Sequence, residues 1–266
     1  MERPMTERMQ TLLTPDGVTL PVTIEPHQTP GLSRGTVILA HGITADRDES
    51  GAYIRLSAEL VKRGFSTLRF DFRGHGHSNF PSEYLTCAGE AIDLKTVVDY
   101  CGSKTNAPLA IVAASFGAVS VAILANYLAP RTKAISLWNP VVDLQRTFIA
   151  PELPWGIKNF SGSNIANVSV DGHFEIDGNF SVGVVFWEEL HHLNPTKSLA
   201  QLTLPIQIIH GDQDTYVPYD TSVILANSNT NISLKTISGS DHGFERATDE
   251  REVIIATADF LDTKFA

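Results

Sequence analysis

The sequence predicts a mostly parallel, doubly wound α/β sheet with a short inserted cap. Three observations lead there. From residue 36 to the C-terminus, short apolar runs rich in β-branched residues alternate with stretches of helical spacing, the order expected when helices cover both faces of a parallel sheet. The run Leu109–Ala114 (LAIVAA) is apolar throughout, as suits a strand buried on both faces. The chain of 266 residues fits one domain of this class, and 42% apolar with 19% charged residues is an ordinary globular composition.

Taken in order, residues before 36 read as an antiparallel edge hairpin turning near residues 15–17, where Pro15, Asp16 and Gly17 fall together. Thr36–Ala40 (TVILA) is the first parallel strand. Ile54, Ala58 and Val61 then keep helical spacing until Lys62, Arg63 and the stop signal Gly64. Residues 66–71 form the next strand. Cys87, Ala91, Leu94, Val98 and Cys101 make one stripe of a following helix. On a continuous helix the two cysteines stand about 21 Å apart and cannot be bridged. They read as small core residues of a reduced, cytoplasmic protein, in which the sequons at Asn159, Asn167, Asn179 and Asn231 carry no meaning. After Leu109–Ala114, residues 118–128 are apolar almost all round and predict a buried helix. Residues 133–138, residues 206–210 and Ile232–Ile237 are further strands. Ile254, Ala258, Leu261 and Phe265 line one face of the last helix.

Residues 143–190 break the rhythm. They lack helical period, contain Pro151, Pro154 and Gly156, and carry the turn dipeptides Asp171-Gly172 and Asp177-Gly178 with Phe174 and Ile176 alternating between them. This segment is read as a cap inserted into a core formed by residues 1–142 and 191–266. No internal repeat and no low-complexity linker occurs.

Several classes of function are excluded by composition. The formal charge of −10, from 20 Lys+Arg against 30 Asp+Glu, repels a phosphate backbone, so no nucleic-acid partner is expected. No stretch approaches the roughly 20 apolar residues of a membrane helix. The first ten residues mix both charges without an apolar core and so resemble neither a signal peptide nor an anchor. No Gly-x-Gly-x-x-Gly run follows a strand and no Walker loop is present, so no cofactor is expected. His75 and His77 form His-x-His without a completing HExxH or cysteine cluster, and read as turn residues rather than metal ligands. His191 and His192 would point apart on a helix, and the Asp212/Asp214 pair lacks the glycine and distal glutamate of a calcium loop. Edge strands leave a homodimer open.

The chemistry concentrates at four places. Ala113-Ala114-Ser115-Phe116-Gly117 joins the buried strand to the buried helix, and a sharp strand–turn–helix lifts a serine into the open when small residues flank it at two positions either side. Ala113 stands where glycine is usual. The competing reading of Ser115 is an ordinary helix N-cap. His242, in Gly-Ser-Asp-His-Gly-Phe, follows the last strand and can serve as base. Asp214, after the preceding strand, can orient it, with Asp212 as competitor and Asp241 as a structural neighbour. All three groups fall at the C-terminal ends of parallel strands, where such sheets place their sites. Finally, Ala40-His41-Gly42-Ile43 leaves the first parallel strand and can aim the Ile43 amide at a developing oxyanion, with the Phe116 amide as second donor.

Together these pieces, with the turn Asp71-Phe-Arg-Gly-His-Gly-His-Ser78, resemble the α/β-hydrolase superfamily over essentially the whole chain. Within it, the short hairpin-like insertion and the run from Gly183 to Gly211 are most similar to small-cap serine esterases of the cinnamoyl (feruloyl) type. A weaker likeness is to bacterial acyl-thioesterases of the luminescence acyltransferase type, whose nucleophile also follows Ala-Ala. The resemblance implies a cofactor-free hydrolase acting on a small-molecule carboxylic ester through an acyl-enzyme on Ser115, with thioester hydrolysis or acyl transfer as the alternative and amides behind both. A serine nucleophile excludes the aspartate-nucleophile branches of the fold. Every catalytic position is filled, which weighs against a ligand-binding relative without activity. Trp155, Phe174, Phe186 and Trp187 are the aromatic residues assigned to substrate binding, and packing of the cap is the competing use for them. Asp143 and Asp171 are candidates to bond a polar substituent.

Overall fold

The structure, a computed structural model, describes residues 8–28, 33–104 and 107–266, apart from the side chains of Ser163, Asn167, Ser169 and Val170. The sequence readings of residues 1–7 and of the Asn167 side chain lie outside the described residues. Eight strands form one sheet in the order β1-β2-β4-β3-β5-β6-β9-β10. β1 (Arg8–Leu13) and β2 (Thr19–Glu25) are the expected edge hairpin, antiparallel to each other, and β2 pairs antiparallel with β4 (Ser66–Phe70). From β4 onward the sheet is parallel through β3 (Thr36–Ala40), β5 (Leu109–Ala114), β6 (Thr132–Trp138), β9 (Ile206–Gly211) and β10 (Ile232–Ile237). All six residues of β5 are buried, which is why its sequence carries no polar alternation.

Helices cover both faces. On one side α2 (Cys87–Lys104), α3 (Gly117–Ile123), α4 (Ala125–Leu128), α8 (Pro195–Ala200) and α9 (Tyr219–Ser228) pack Leu94, Val97, Ala118, Val121, Leu199 and Leu225 onto the sheet. On the other, α1 (Ala52–Lys62) and α10 (Ala247–Lys264) bring Tyr53, Leu56, Leu60, Val253 and Leu261 to a second core layer. Cys87 and Cys101 are buried free thiols on α2. Among the described residues no helix is long and apolar enough to cross a membrane.

Three differences from the sequence reading have physical causes. The helix at α1 exists and Val61 is buried as read, but Ile54 and Ala58 face solvent while Tyr53, Leu56 and Leu60 are buried. The buried face is centred on Tyr53, Leu56 and Leu60, bulkier than Ile54 and Ala58 together, and Val61 lies at its edge. The apolar stretch 118–128 is two helices broken at Leu124, where Tyr127 N–H bonds Leu124 O over three residues, 2.8 Å. Residues 143–190, read as lacking helical period, contain three helices, α5 (Pro154–Phe160), α6 (Ser163–Asp171) and α7 (Val184–Leu190), besides a π-turn at Gln145–Ile149. The longest has nine residues, about two and a half turns, too few for periodicity to stand out. Pro154 does not interrupt helical structure but begins α5 in its first turn.

Between α6 and α7 lies a hairpin of β7 (His173–Ile176) and β8 (Phe180–Gly183). Asp177 and Gly178 both have positive φ, 52° and 76°, and lie in a three-residue loop between the paired Ile176 and Phe180, closed by Asn179 N–H to Ile176 O at 3.3 Å. Phe174 and Ile176 point inward as their alternation predicts, into a third cluster of mostly cap residues. Glu189 of α7 reaches across to the N-terminus of α2, where it accepts hydrogen bonds from the Cys87 and Ala88 amides.

Candidate active site

The turn after β5 is sharp. Ser115 adopts φ 47°, a left-handed conformation rare for a residue with a side chain, and its amide bonds Trp138 O at 2.8 Å on the neighbouring strand. Close approach makes the turn dependent on glycine nearby. A Cβ at Gly117 would lie 2.7 Å from His41 O and 2.8 Å from Ala40 O, and one at Gly42 would lie 3.0 Å from Ser115 Cβ. Ala113 pairs with Ala40 in the register of β5 and β3, so two small residues meet where glycine is usual.

Ser115, His242 and Asp214 form one hydrogen-bonded line. His242 Nε2 is 3.0 Å from Ser115 Oγ, and its Nδ1 is 2.7 Å from Asp214 Oδ2. Because a carboxylate only accepts, Nδ1 carries the proton and Nε2 is the acceptor for the serine hydroxyl. Asp214 is buried and receives further donors: the Tyr216 and Val217 amides at 2.8 Å each, and His210 Nε2 at 3.1 Å. His210 in turn accepts from Ser222 Oγ at its Nδ1, 2.7 Å. Burial alone would raise the Asp214 pKa, but the charge of His242 and the hydrogen bonds from His210 and His242 hold it well below the usual carboxylate range. His242 moves the other way. Burial opposes its charged form, and the carboxylates of Asp214, Glu49 and Asp241 outweigh that and raise its pKa above 6.5.

The competitors for the acid role are occupied elsewhere. Asp212 Oδ1 accepts the Gly239 amide, 2.6 Å. Asp241 Oδ1 accepts the Thr215 amide and hydroxyl and the His242 amide, fastening the loop that carries the histidine. Asn139, with φ 41°, bridges the same region: it donates to His242 O and accepts the Gly211 amide.

Near the loop after β3, His41 is buried and neutral, its pKa lowered to about 4 by burial. Its Nδ1 donates to Gly42 O at 2.8 Å and its Nε2 accepts the Phe72 amide at 3.0 Å. Among the described residues the Ile43 and Phe116 amides have no acceptor within the protein. The turn that begins at Asp71 supports this loop from behind: Asp71 is fully buried and accepts from the Arg47 amide, the Arg47 guanidinium and the His77 amide. His75 is buried and His77 exposed, so the two rings do not converge.

Two cavities meet at Ser115 and His242. One, of ≈ 200 Å³, is lined by Ile43, Val141, Trp155, Tyr216 and Val217. The other, of ≈ 380 Å³, is lined by Glu49, Asn139, Gly243, Glu245 and Glu250. Of the four aromatic residues assigned to substrate, Trp155 lines the first cavity. Phe174 and Phe186 are instead buried within the cap cluster, and Trp187 packs against Phe160 and Phe174. Each is used as packing: Phe174 against Phe160 and Trp187 within the cap, and Phe186 against Phe116 of the core. Asp143 caps the π-turn through the Arg146 amide, and Asp171 is exposed at the end of α6, away from both cavities.

Four residues of the site went unassigned in the sequence: His210, Tyr216, Asn139 and Glu49. Tyr216 stacks on the His242 ring, centroids 4.7 Å apart and 9° from parallel. His210 stands in the His-Gly-Asp-Gln-Asp run, and its position four before Asp214 was the available signal. Glu49 had none, because it reaches the site through a strained turn.

Comparison with known proteins agrees with this architecture. The family described as serine aminopeptidase, S33 (Hydrolase_4), matches residues 31–179. The palmitoyl-protein thioesterase ABHD10, mitochondrial, of Homo sapiens and of Pongo abelii is 24% identical over 204 residues, covering 75% of this chain. The chain spans 64% of the length of those relatives. Est1E from Butyrivibrio proteoclasticus, solved with ferulic acid bound, superposes with a TM-score of 0.79 at 23% identity, covering 94% of this chain and 96% of its own. Mouse alpha/beta hydrolase domain-containing protein 10 does so with a TM-score of 0.74 at 19% identity, covering 96% of this chain and 99% of its own. At such identities the structural likeness speaks for the fold. With more than half of its length matched by the family and its sheet shared with these hydrolases, the chain belongs to the serine aminopeptidase S33 family of α/β hydrolases.

Proposed function

We propose that the chain is a serine hydrolase that cleaves carboxylic esters of small-to-medium acyl or aryl acids through an acyl-enzyme on Ser115. The observation that carries this reading is the unbroken line from Ser115 Oγ through His242 to Asp214. Ser115 Oγ attacks the acyl carbonyl while His242 Nε2 takes its proton. Asp214 keeps the imidazole in the required tautomer and balances the imidazolium. The oxyanion rests on the Ile43 and Phe116 amides. Collapse of the tetrahedral intermediate expels the alcohol, which takes the proton from His242. Water, deprotonated by His242, then attacks the acyl-serine, and a second collapse releases the acid and restores the serine hydroxyl.

The ≈ 200 Å³ cavity, with Val141, Trp155 and Val217 in its wall, suits a small acyl or aryl group, and the ≈ 380 Å³ cavity, with Glu245 and Glu250 in its wall, leaves room for the leaving group. The cap at 143–190 supplies Phe148 and Trp155 to the smaller cavity. Two buried free thiols fit a reducing compartment.

A second reading, hydrolysis of acyl thioesters by the same three residues, is favoured by one observation: the curated relatives at 24% identity are named palmitoyl-protein thioesterases. Initial rates on a matched panel separate the two, with Ser115→Ala as the blank. The panel holds oxygen esters and thioesters of the same short, medium and long acyl groups, a methyl hydroxycinnamate, and an aminoacyl anilide. Preference for short, medium or aryl oxygen esters supports the proposal. Thioesters that win by more than their intrinsic reactivity replace it with the second reading, and an anilide that outruns every ester overturns both.

A further inference from the structure

Glu49 takes no part in the scheme above, yet it stands where the two cavities meet, lining both together with Ser50, Ser115 and His242. Its Oε2 accepts the Gly42 amide at 2.9 Å. Gly42 is therefore held at both of its polar groups, since its carbonyl accepts from His41 Nδ1 at 2.8 Å. That carbonyl shares a planar, trans peptide unit with the Ile43 amide, so fixing the carbonyl on one side aims the Ile43 N–H to the other. The Glu49 bond fixes the preceding peptide and closes the remaining freedom of a glycine, the residue with most freedom to lose.

The fold goes to some length to bring this carboxylate here. Glu49 and Ser50 have φ 47° and 53°, followed by Gly51 at 88°, so two consecutive residues with side chains sit in the left-handed region. Such conformations persist only where the surroundings impose them, and they gather at functional sites. Here the turn is closed by Glu49 N–H to Asp46 O, 3.0 Å, and Gly51 N–H to Asp48 O, 2.8 Å. Burial also works against the charge, pushing the Glu49 carboxyl up to about 7, with Asp46 adding to the rise and the Gly42 amide and His242 opposing it.

We propose that Glu49 is a positioning residue of the hydrolytic reaction: by holding the Gly42 amide it sets the loop that presents the Ile43 N–H to the oxyanion. The proposal rests on the hydrolytic reading of Ser115. Two substitutions separate the hydrogen bond from the charge. Glu49→Gln keeps an acceptor at the same reach without the charge. Glu49→Asn suits the left-handed backbone better but is one methylene too short to reach Gly42.

The experiment measures kcat and KM on the best ester, and Tm, for both variants beside wild type and Ser115→Ala. Glu49→Gln should keep kcat within about threefold, whereas Glu49→Asn should lose about 30-fold or more in kcat with KM nearly unchanged, because a displaced donor costs transition-state binding alone. Glu49→Asn should also melt at or above the wild-type temperature. Wild-type kcat in Glu49→Asn overturns the proposal, as does an equal loss in both variants, which would assign the effect to charge. Failure of Glu49→Asn to fold, or a lowered Tm, makes Glu49 a structural residue and overturns it too. Hydrolysis that survives Ser115→Ala brings down the underlying reading instead, so the two failures are distinct.

Discussion

Tyr216 lies flat on His242, the two rings 4.7 Å apart and 9° from parallel. Trp155 of the cap stacks on Tyr216 in turn, at 5.0 Å and 20°, so a column of three rings runs from the cap wall to the proposed base. The middle ring should matter most when His242 is charged, as it is once the Ser115 proton has moved. A cation over an aromatic face is worth about 0.5–2 kcal/mol. Tyr216→Leu should therefore lower kcat/KM by roughly 2- to 30-fold while leaving the fold intact. Steady-state kinetics on an oxygen ester check this, and an unchanged kcat/KM would remove Tyr216 from the account.

Asp214 is engaged by four donors, whereas Asp212 bonds one amide on the next loop. Asp214→Asn should lower kcat by about 10³- to 10⁴-fold, because an amide in that place favours the wrong imidazole tautomer. Asp212→Asn should stay within a few-fold of wild type. Reversed outcomes would transfer the orienting role to Asp212.

The pH profile follows from the same contacts. His242 is held above its ordinary value of 6.5: burial opposes its charge, and Asp214, Glu49 and Asp241 outweigh it. Only the neutral ring accepts the serine proton, so kcat/KM should fall as pH drops through a value above 6.5. An acid limb at or below 6.5 contradicts this.

Stability carries a separate pH signature at Glu49. Its carboxyl is raised from 4.5 to about 7, chiefly by burial, so the folded state binds the proton more tightly than the unfolded chain. Ionisation therefore costs the fold nothing below 4.5 and its full penalty above about 7. Glu49→Gln should raise Tm near pH 8 and leave it almost unchanged near pH 4. Thermal melts at the two pH values check the sign, and an equal shift at both would contradict it.

Much of the sheet was legible because buried parallel strands announce themselves as continuous apolar runs: β5 is the plainest, and β10 was bounded to the residue. Ser115, His242 and Asp214 were legible because their strand ends bring distant residues together in a fixed order. Glu49 was not, since its reach to Gly42 depends on left-handed backbone at Glu49 and Ser50, and Gly51 signals a turn without showing that it starts two residues earlier. The cap helices escaped because each is too short to show a period. The cap aromatics show a different limit. Composition counts rings but does not say which way they face: Phe174 packs inside the cap and Phe186 against Phe116 of the core, while Trp155 faces the cavity.

The most direct test is to trap the intermediate. The chain is mixed with excess p-nitrophenyl butyrate, quenched in acid within the burst, and weighed intact before tryptic mapping. One butyryl group per chain is expected, located on the peptide that contains Ser115, absent from Ser115→Ala and not formed within the burst in His242→Ala. A butyryl group on another residue, or full turnover by Ser115→Ala, would contradict it.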